Sequence, residues 1–321
     1  MNHDFHYLIE KIEQSEFLTE PFKHLEIRDF LSPEHFALVT SDPQIRLATP
    51  ASTEALVDVL DDKGYIIIPF PGCVSEAKAY LAWYNGASGR KLHGATESFG
   101  IVYRLQDIRS ELLIELNRFL ISDKLKRALI EKFAIKKPVD VDGGIQKYLH
   151  GYEISPHPDI RRKALTWMLN INPDDRSEDN NYHTHYLKLK KEWEFIPVFW
   201  DGNADYDRDW LPLHWCDTVK QQTENNSIVI FSPSSNTIHA VRAKYDHLST
   251  QRTQIYGNLW YEDKPLPKVP YQQFDLRATT ERLNRNGSRY EKFKTTVLGK
   301  NLIAMRNSIR PATGVIRRND I

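Results

Sequence analysis

The feature that most restricts the fold is a series of short strand-like runs in the second half of the chain. From about residue 143, brief apolar or β-branched segments alternate with Gly, Pro, Asn and Asp. This spacing is typical of antiparallel sandwiches and jelly rolls, whose strands are shorter than an average helix. The predicted strands are Gly144–His150, Ala164–Ile171, Phe195–Trp200, Ser227–Phe231, Thr237–Ala243 and Arg252–Tyr261.

The first part of the chain has helical patterns instead. Helices are predicted for residues 5–17, from Ser32 onward, for residues 53–60, and for two segments within 104–133 that separate near Ser122, with one strand at residues 64–70. The sequence therefore predicts an α+β protein with a jelly-roll core.

This pattern predicts one structural domain with three regions. Residues 1–142 form an N-terminal helical support with one or more strands that join the core. Residues 143–263 form the β core, in which the polar stretch 174–226 is a loop insertion. Residues 264–321 form a basic C-terminal helix and tail, which we expect to be solvated, to contact a second subunit in a homo-oligomer or to bind an anionic ligand.

Composition and charge exclude several classes of protein. Lys and Arg together number 43, as do Asp and Glu, so nucleic acid is disfavoured as a partner. The beginning of the chain is polar and no apolar run approaches the roughly 20 residues of a membrane span, so we expect a cytoplasmic protein. Only Cys73 and Cys216 are present and no CxxC occurs, which predicts free structural thiols rather than disulfides or a thiolate zinc site.

The segment Ile154–Asp159, sequence ISPHPD, carries the strongest chemical signal. Residues two apart on an extended chain point to the same side, so His157 and Asp159 can bind one cation. Pro156 and Pro158 restrict the backbone around them and reduce the entropy lost when the pair is ordered.

A third ligand and a carboxylate-binding residue are found further along the chain. His239 follows the strand-like run that ends at Phe231, and Arg252 begins the last predicted strand. Two imidazoles and one carboxylate on one face of an octahedron leave three open positions, an arrangement associated with iron(II) and oxygen chemistry. The planar guanidinium of Arg252 offers paired donors to a carboxylate.

With Tyr148, His157-x-Asp159, Asn170, His239 and Arg252 on successive strands, the chain resembles the 2-oxoglutarate and iron(II) dioxygenase superfamily, and in particular its prolyl-hydroxylase-like branch. The resemblance covers residues 143–262, and more loosely residues 21–33. It implies a double-stranded β-helix, a jelly roll of the cupin type.

The resemblance also implies a ligand set and a reaction. His157, Asp159 and His239 bind iron(II), while Arg252 and Tyr148 bind the distal carboxylate of 2-oxoglutarate. Oxygen is the other cosubstrate, succinate and CO₂ are released, and a C–H bond is hydroxylated. Asn170 stands where some relatives have a second tyrosine, and Thr166 lies on the same strand with the same parity, so both are expected to face the cofactor.

The sequence leaves the substrate and some residues open. A small metabolite (an amino acid, a peptide-like natural product or a sugar derivative) is favoured over a protein prolyl side chain. The other readings are a non-catalytic jelly-roll binding module and a zinc hydrolase. His183 and His185 are candidates for a competing metal pair or for substrate contacts, and Trp210 and Trp215 for covering the substrate. The residues that compete with Arg252 are Arg161, Arg162 and Arg242.

Overall fold

The structure, a computed structural model, describes residues 3–69, 73–86, 100–204 and 207–262, all within the first of the chain's two compact units, residues 1–265. The helices are α1 (Tyr7–Gln14), α2 (Pro33–Ser41), α3 (Thr53–Asp62), α4 (Ala77–Tyr84), α5 (Glu111–Leu120), α6 (Asp123–Phe133) and α7 (Phe195–Gly202). The strands are β1 (Leu25–Ile27), β2 (Tyr65–Ile67), β3 (Val102–Leu105), β4 (Val139–Tyr148), β5 (Glu153–His157), β6 (Lys163–Asn170), β7 (Thr184–Leu189), β8 (Cys216–Gln221), β9 (Ile228–Phe231), β10 (His239–Arg242) and β11 (Arg252–Tyr261).

The strands form two antiparallel sheets. The larger has seven strands in the order β1-β9-β6-β11-β4-β3-β2, and the smaller has four in the order β5-β10-β7-β8. From β4 to β11 the chain passes repeatedly between the two sheets, which is the strand order of a jelly roll. The predicted fold class, α+β with a jelly-roll core, is confirmed.

The helices of the N-terminal region begin at serine caps. Ser32, Ser52, Ser110 and Ser122 each accept a hydrogen bond from the backbone N–H three residues later, at the starts of α2, α3, α5 and α6. The break predicted near Ser122 is therefore confirmed. The buried faces of these helices pack against one side of the larger sheet. They form one hydrophobic cluster with side chains at odd-numbered positions of β6 and β11.

The two sides of the larger sheet have different roles because successive side chains of a strand point to opposite sides. On β11, Ile255 and Leu259 pack in the hydrophobic cluster, while Arg252 and Tyr256 face a cavity. Gly257 is required on the packed side, since a Cβ there would lie 2.0 Å from ring atoms of Trp167. The same alternation separates the core of the protein from its candidate site.

Several predicted elements differ from the structure. Residues 195–200 begin helix α7 instead of a strand, because Phe195 and Phe199 are exposed while Ile196 and Trp200 are buried, a helical spacing. The supposed loop insertion 174–226 contains β7 and β8, two of the four strands of the smaller sheet. Strands β1, β3 and β5 and helix α4 were missed.

The N-terminal boundary also differs, since β4 starts at Val139 rather than after residue 142. The basic region 264–321 and its predicted subunit contact lie outside the described residues. Among the helices of the described ranges, none has the length and apolar character needed to cross a bilayer. Cys73 and Cys216 are not joined by a disulfide.

Candidate metal and cosubstrate site

A cavity of about 230 Å³ is lined by side chains from both sheets. The three predicted metal ligands line it together with Arg252 and Tyr148. The lining residues are Arg104, Asp142, Gln146, Tyr148, Tyr152, Ile154, His157, Asp159, Lys163, Thr166, Met168, Thr184, Tyr186, Phe231, His239, Val241, Arg252, Tyr256, Asn258 and Trp260.

The two histidines face each other across neighbouring strands. His157 at the end of β5 pairs with His239 at the start of β10, and their ring centroids are 4.3 Å apart. His157 Nδ1 lies 2.9 Å from the carbonyl oxygen of Ser155, and His239 Nδ1 lies 3.0 Å from that of Thr237. Because a carbonyl only accepts, both Nδ1 atoms carry the proton, and each Nε2 keeps its lone pair for a metal.

Asp159 reaches the histidines by a different route from the extended pair that the sequence suggested. Strand β5 ends at His157, and Asp159 lies in the following loop with a left-handed backbone (φ 59°). Asp tolerates this conformation better than most residues. The side chain is fixed by Thr166 Oγ1, which donates to Oδ2 at 2.7 Å, and by Lys163 Nζ, which donates to Oδ1 at 2.8 Å.

The three side chains match a metal in geometry and in protonation. One ligand atom from each of His157, Asp159 and His239 lies within 4.8 Å of the others. Burial lowers the pKa of His239 to about 3, so its imidazole is neutral. Burial alone would raise the pKa of Asp159, but the positive charge of Lys163 and the neighbouring His157 hold it well below its usual range. A neutral imidazole and an ionised carboxylate are the forms that bind metals.

Arg252 is a buried cation without an anionic partner among the residues described. Its side chain is 1 % exposed, Nη2 donates to Thr184 Oγ1 at 3.0 Å, and Nη1 has no hydrogen-bond partner. The guanidinium lies over the ring of Tyr148, 4.5 Å from its centroid. Since an isolated buried charge is costly, this arrangement favours an anionic ligand beside Arg252.

Tyr148 takes its orientation from Gln146, whose amide lies between it and Arg104. A guanidinium has only donors, so the amide oxygen must face Arg104. In that orientation Gln146 Oε1 accepts from Arg104 Nε at 3.1 Å and Nη2 at 2.8 Å, and Nε2 donates to the Tyr148 hydroxyl at 2.6 Å. The hydroxyl therefore accepts from Gln146, which leaves its own proton for another acceptor.

Thr166 and Asn170 have separate roles despite their shared parity. Thr166 lines the cavity and donates to Asp159. Asn170 is not part of the lining; it donates to the backbone carbonyls of Gln222 and Glu224 and accepts from Gln254. Its contacts hold the turn before β9, so the structure does not bring Asn170 to the cofactor region.

The predicted substrate residues on β7 face away from the cavity. Thr184 and Tyr186 line it, so the alternate positions His183 and His185 point to the other side of the strand. His183 Nε2 lies 3.2 Å from the carbonyl oxygen of Glu178, and His185 Nδ1 lies 3.0 Å from Thr218 Oγ1. Within the described ranges they belong to no group of three potential metal ligands.

The two predicted tryptophans differ in their relation to the site. Trp210 stacks beside His157 at a centroid distance of 6.5 Å, and its Nε1 is buried without a hydrogen-bond partner. Trp215 stacks on Trp193 at 3.6 Å and packs against a hydrophobic cluster. Of these two tryptophans, only Trp210 contacts a candidate metal ligand.

The arginines that competed with Arg252 do not line the cavity. Arg242 Nε lies 3.2 Å from Glu153 Oε2, Arg161 donates to the backbone carbonyl of Trp200, and Arg162 is exposed. Of the four arginines considered from the sequence, Arg252 is thus the one that lines the cavity, and it lies next to Tyr148.

Other lining residues were missed, among them Arg104, Asp142, Gln146 and Asn258. The signal that identifies some of them is the alternation along β4 and β11. Several even positions on these strands line the cavity, so Tyr148 predicts Gln146 and Asp142, and Arg252 predicts Asn258. Arg104 lies on β3, a strand that the sequence pattern concealed.

Comparisons with known proteins find similar structures but no sequence relatives. No family model and no curated protein matches the chain. A prolyl-4-hydroxylase from Pseudomonas putida has a TM-score of 0.38 and 9% identity, covering 80% of this chain and 99% of its own. HygX from Streptomyces hygroscopicus was solved with nickel, 2-oxoglutarate and hygromycin B. It has a TM-score of 0.31 and 10% identity, and the match covers 66% of this chain and 88% of HygX. AviO1 from Streptomyces viridochromogenes has a TM-score of 0.32 and 12% identity, and the match covers 83% of this chain and 100% of AviO1. These similarities are remote, and the functional assignment depends on the site geometry.

Proposed function

We propose that this chain is an iron(II)- and 2-oxoglutarate-dependent dioxygenase that hydroxylates a C–H bond of a small molecule. One observation carries the proposal: a His-Asp-His ligand set and the unpaired guanidinium of Arg252 line the same cavity. A metal with open positions beside a buried cation is suited to a carboxylate cosubstrate that also reaches the metal.

The residues present fit both groups. His157 and His239 offer Nε2 lone pairs, and Asp159 is ionised and oriented by Thr166 and Lys163. Arg252 would bind the distal carboxylate of 2-oxoglutarate, and the free proton of Tyr148 would reach the same carboxylate. When bound, iron(II) with 2-oxoglutarate and O₂ supplies the oxidising power and releases succinate and CO₂.

The protein's own contribution is to position ligands and to limit access of water. Tyr186, Phe231 and Met168 give the cavity an apolar lining near the ligand set. At about 230 Å³ the cavity is smaller than the roughly 300–1,000 Å³ of drug-sized pockets. A small metabolite therefore fits the cavity better than a folded protein segment. The cytoplasmic location stays a prediction.

The zinc-hydrolase and binding-module alternatives explain less of the site. Zinc hydrolysis needs the three ligands and water, but it gives no role to a buried Arg252 with a free Nη1. A binding module without a metal has no use for two Nε2 atoms and a carboxylate oxygen oriented toward one point.

The decisive experiment is anaerobic titration with iron(II) and then 2-oxoglutarate, followed by the visible charge-transfer absorption of the chelated cosubstrate. We expect the band in the natural protein and its loss in His157→Ala, Asp159→Ala and His239→Ala. His185→Ala removes a histidine on the far side of β7 and should keep the band. Retention of iron binding and of the band by His239→Ala would overturn the ligand assignment. A protein that never forms the band would overturn the proposal.

A further inference from the structure

A second part of the cavity wall carries two opposite charges that are not paired with each other. Arg104 on β3 and Asp142 on β4 both line the cavity and are half-buried. Within the described ranges neither has an ion-pair partner, in contrast to Lys163, whose Nζ lies 2.8 Å from Asp159. Such a pair of charges is available to a ligand.

Asp142 is held in position but is only partly satisfied. Its Oδ1 accepts hydrogen bonds from Asn258 Nδ2 at 2.9 Å and Trp260 Nε1 at 2.8 Å. Its Oδ2 accepts from no donor in the part of the chain that the structure describes. The carboxylate is therefore oriented by two neighbours, and one oxygen remains for a donor in the cavity.

Arg104 is oriented in the same manner. Its guanidinium lies over the ring of Tyr256, 4.6 Å from the centroid, and Nε and Nη2 donate to Gln146 Oε1. A guanidinium has five donor hydrogens, so Nη1 and the second hydrogen of Nη2 remain for a ligand. Two contacts thus fix the group while its outer donors stay open.

Tyr256 lies near both charges. It pairs with Gly144, where an added Cβ would lie 3.3 Å from the tyrosine ring. The Arg104 guanidinium lies over that ring, and Asp142 is two residues from Gly144 along β4. Burial raises the pKa of Tyr256, while the charge of Arg104 lowers it and that of Asp142 raises it. Both charges are therefore close to the same side chain, as a ligand with two adjacent opposite charges requires.

We propose that this wall binds the substrate as a free α-amino acid, with the ammonium group on Asp142 and the carboxylate on Arg104. The inference rests on the proposed function, because it names the substrate of the same cavity. Asn258 connects the wall to the metal ligands, since Thr166 Oγ1 lies 3.3 Å from Asn258 Oδ1 and 2.7 Å from Asp159 Oδ2. An amino acid held there presents its side chain to the metal end of the cavity. A peptide-embedded residue lacks both charges and leaves Asp142 and Arg104 unpaired.

The test measures binding of each of the twenty proteinogenic L-amino acids by anaerobic calorimetry, to the protein with iron(II) alone and with iron(II) plus 2-oxoglutarate. We expect at least one to bind, and its N-acetyl and carboxamide derivatives to bind about tenfold or more weakly, since each lacks one charge-assisted contact. Absence of binding by all twenty, or equal binding of the derivatives, overturns the inference.

Two chemical-mutational cycles assign each charge to its residue. Asp142→Asn should weaken binding of the free amino acid and leave binding of its N-acetyl derivative unchanged. Arg104→Gln should make the free amino acid and its carboxamide bind with equal affinity. Asp140→Asn changes an exposed acid on the same strand and should have no effect. Losses in Asp142→Asn that are equal for free and N-acetylated ligands would contradict the assignment.

Failure of this inference is distinguishable from failure of the proposed function. If 2-oxoglutarate binds with its charge-transfer band while no amino acid binds, the proposed function stands and the substrate class is wrong. If amino acids bind with the expected dependence on Asp142 and Arg104 but 2-oxoglutarate never binds, the substrate wall stands and the dioxygenase proposal is wrong.

Discussion

Arg252 carries a buried positive charge that has no anionic partner among the described residues. It is 1 % exposed, with Nη1 unpartnered, and its contacts are with the neutral groups of Thr184 and Tyr148. A charged hydrogen bond contributes about 1.5–3 kcal/mol. Arg252→Gln should therefore lower 2-oxoglutarate affinity by roughly ten- to a hundred-fold and leave iron affinity unchanged, as measured by separate calorimetric titrations.

Arg242→Gln is the matched control, because Arg242 lies outside the cavity lining beside Glu153. It should bind 2-oxoglutarate normally. Unchanged cosubstrate affinity in Arg252→Gln would transfer the role to another basic group, and lost iron binding would indicate misfolding.

Gln146 determines the direction in which Tyr148 donates. Its Nε2 donates to the tyrosine hydroxyl, whose proton is then free for a ligand. A glutamate at this position would accept from both Arg104 and Tyr148, and would withdraw that proton. Gln146→Glu should weaken 2-oxoglutarate binding by about fivefold, near the value of one hydrogen bond.

The double variant with Tyr148→Phe separates this effect from simple charge repulsion. If Gln146→Glu acts through the hydroxyl, it should add no further loss of 2-oxoglutarate affinity once the hydroxyl is absent. An equal loss in both backgrounds would mean that the negative charge itself is responsible.

Lys147 is a fully buried lysine on the opposite side of β4. It is 0 % exposed and donates to the carbonyl of Ile45 and to Thr253 Oγ1, both at 2.7 Å. Burial lowers its pKa to about 7, far below the ordinary value of about 10.4. Between these values the unfolded chain holds a proton that the folded chain does not, so this group makes stability rise with pH.

Lys147→Met removes that dependence. The variant should gain thermal stability relative to the natural protein at about pH 6, and the difference should shrink toward about pH 9. Thermal unfolding across this range measures it, with Lys78→Met, an exposed residue on α4, as control. A constant difference at all pH values would show that Lys147 titrates normally.

At the level of elements, the pairing of β6 with β11 depends on the contact of Trp167 with Gly257. Gly257→Ala would place a methyl group 2.0 Å from the indole ring, and overpacking of this kind costs about 1–3 kcal/mol. The lower free energy of unfolding should appear in urea denaturation. Gly202→Ala, where no atom lies within 4 Å of the added Cβ, should change it by less than about 0.5 kcal/mol. Equal effects of both substitutions would show that the indole ring moves aside.

The elements that the sequence predicted well have simple periodicity. Strand β11 has the predicted bounds, and α5 and α6 begin at their serine caps. Strand β8 was missed because its central residues are exposed and mostly polar, so it lacks an alternating apolar pattern. Helix α7 was mistaken for a strand because an apolar run of this length fits both structures.

At the scale of the whole molecule, the grouping of the candidate metal ligands was predictable and the rest of the cavity only in part. His157, Asp159, His239 and Arg252 each have a distinctive chemistry and position along the chain, and the structure brings all four to one cavity. Arg104 and Thr184 could not be identified, because their contribution depends on pairing between strands that the sequence concealed. The local sequence pattern identifies candidate ligands on strands that can be recognised. Which other residues line the cavity depends on the register between strands that are distant in sequence.

The same topology predicts how stability is distributed across residues 174–226. Strand β7 is hydrogen-bonded on both sides, by β10 and β8, so its amides should exchange as slowly as those of β9 and β11. The connection at 190–215 contains helix α7, on which Phe195, Val198 and Phe199 are exposed. It should exchange faster, because few of its backbone groups are buried by packing. Hydrogen exchange followed by mass spectrometry separates these segments.

Iron(II) with 2-oxoglutarate should add protection at β5, β7 and β10, which carry His157, Thr184 and His239, and leave α1 unchanged. Uniform exchange across β7 and residues 190–215 would show that the smaller sheet opens as a unit with that connection.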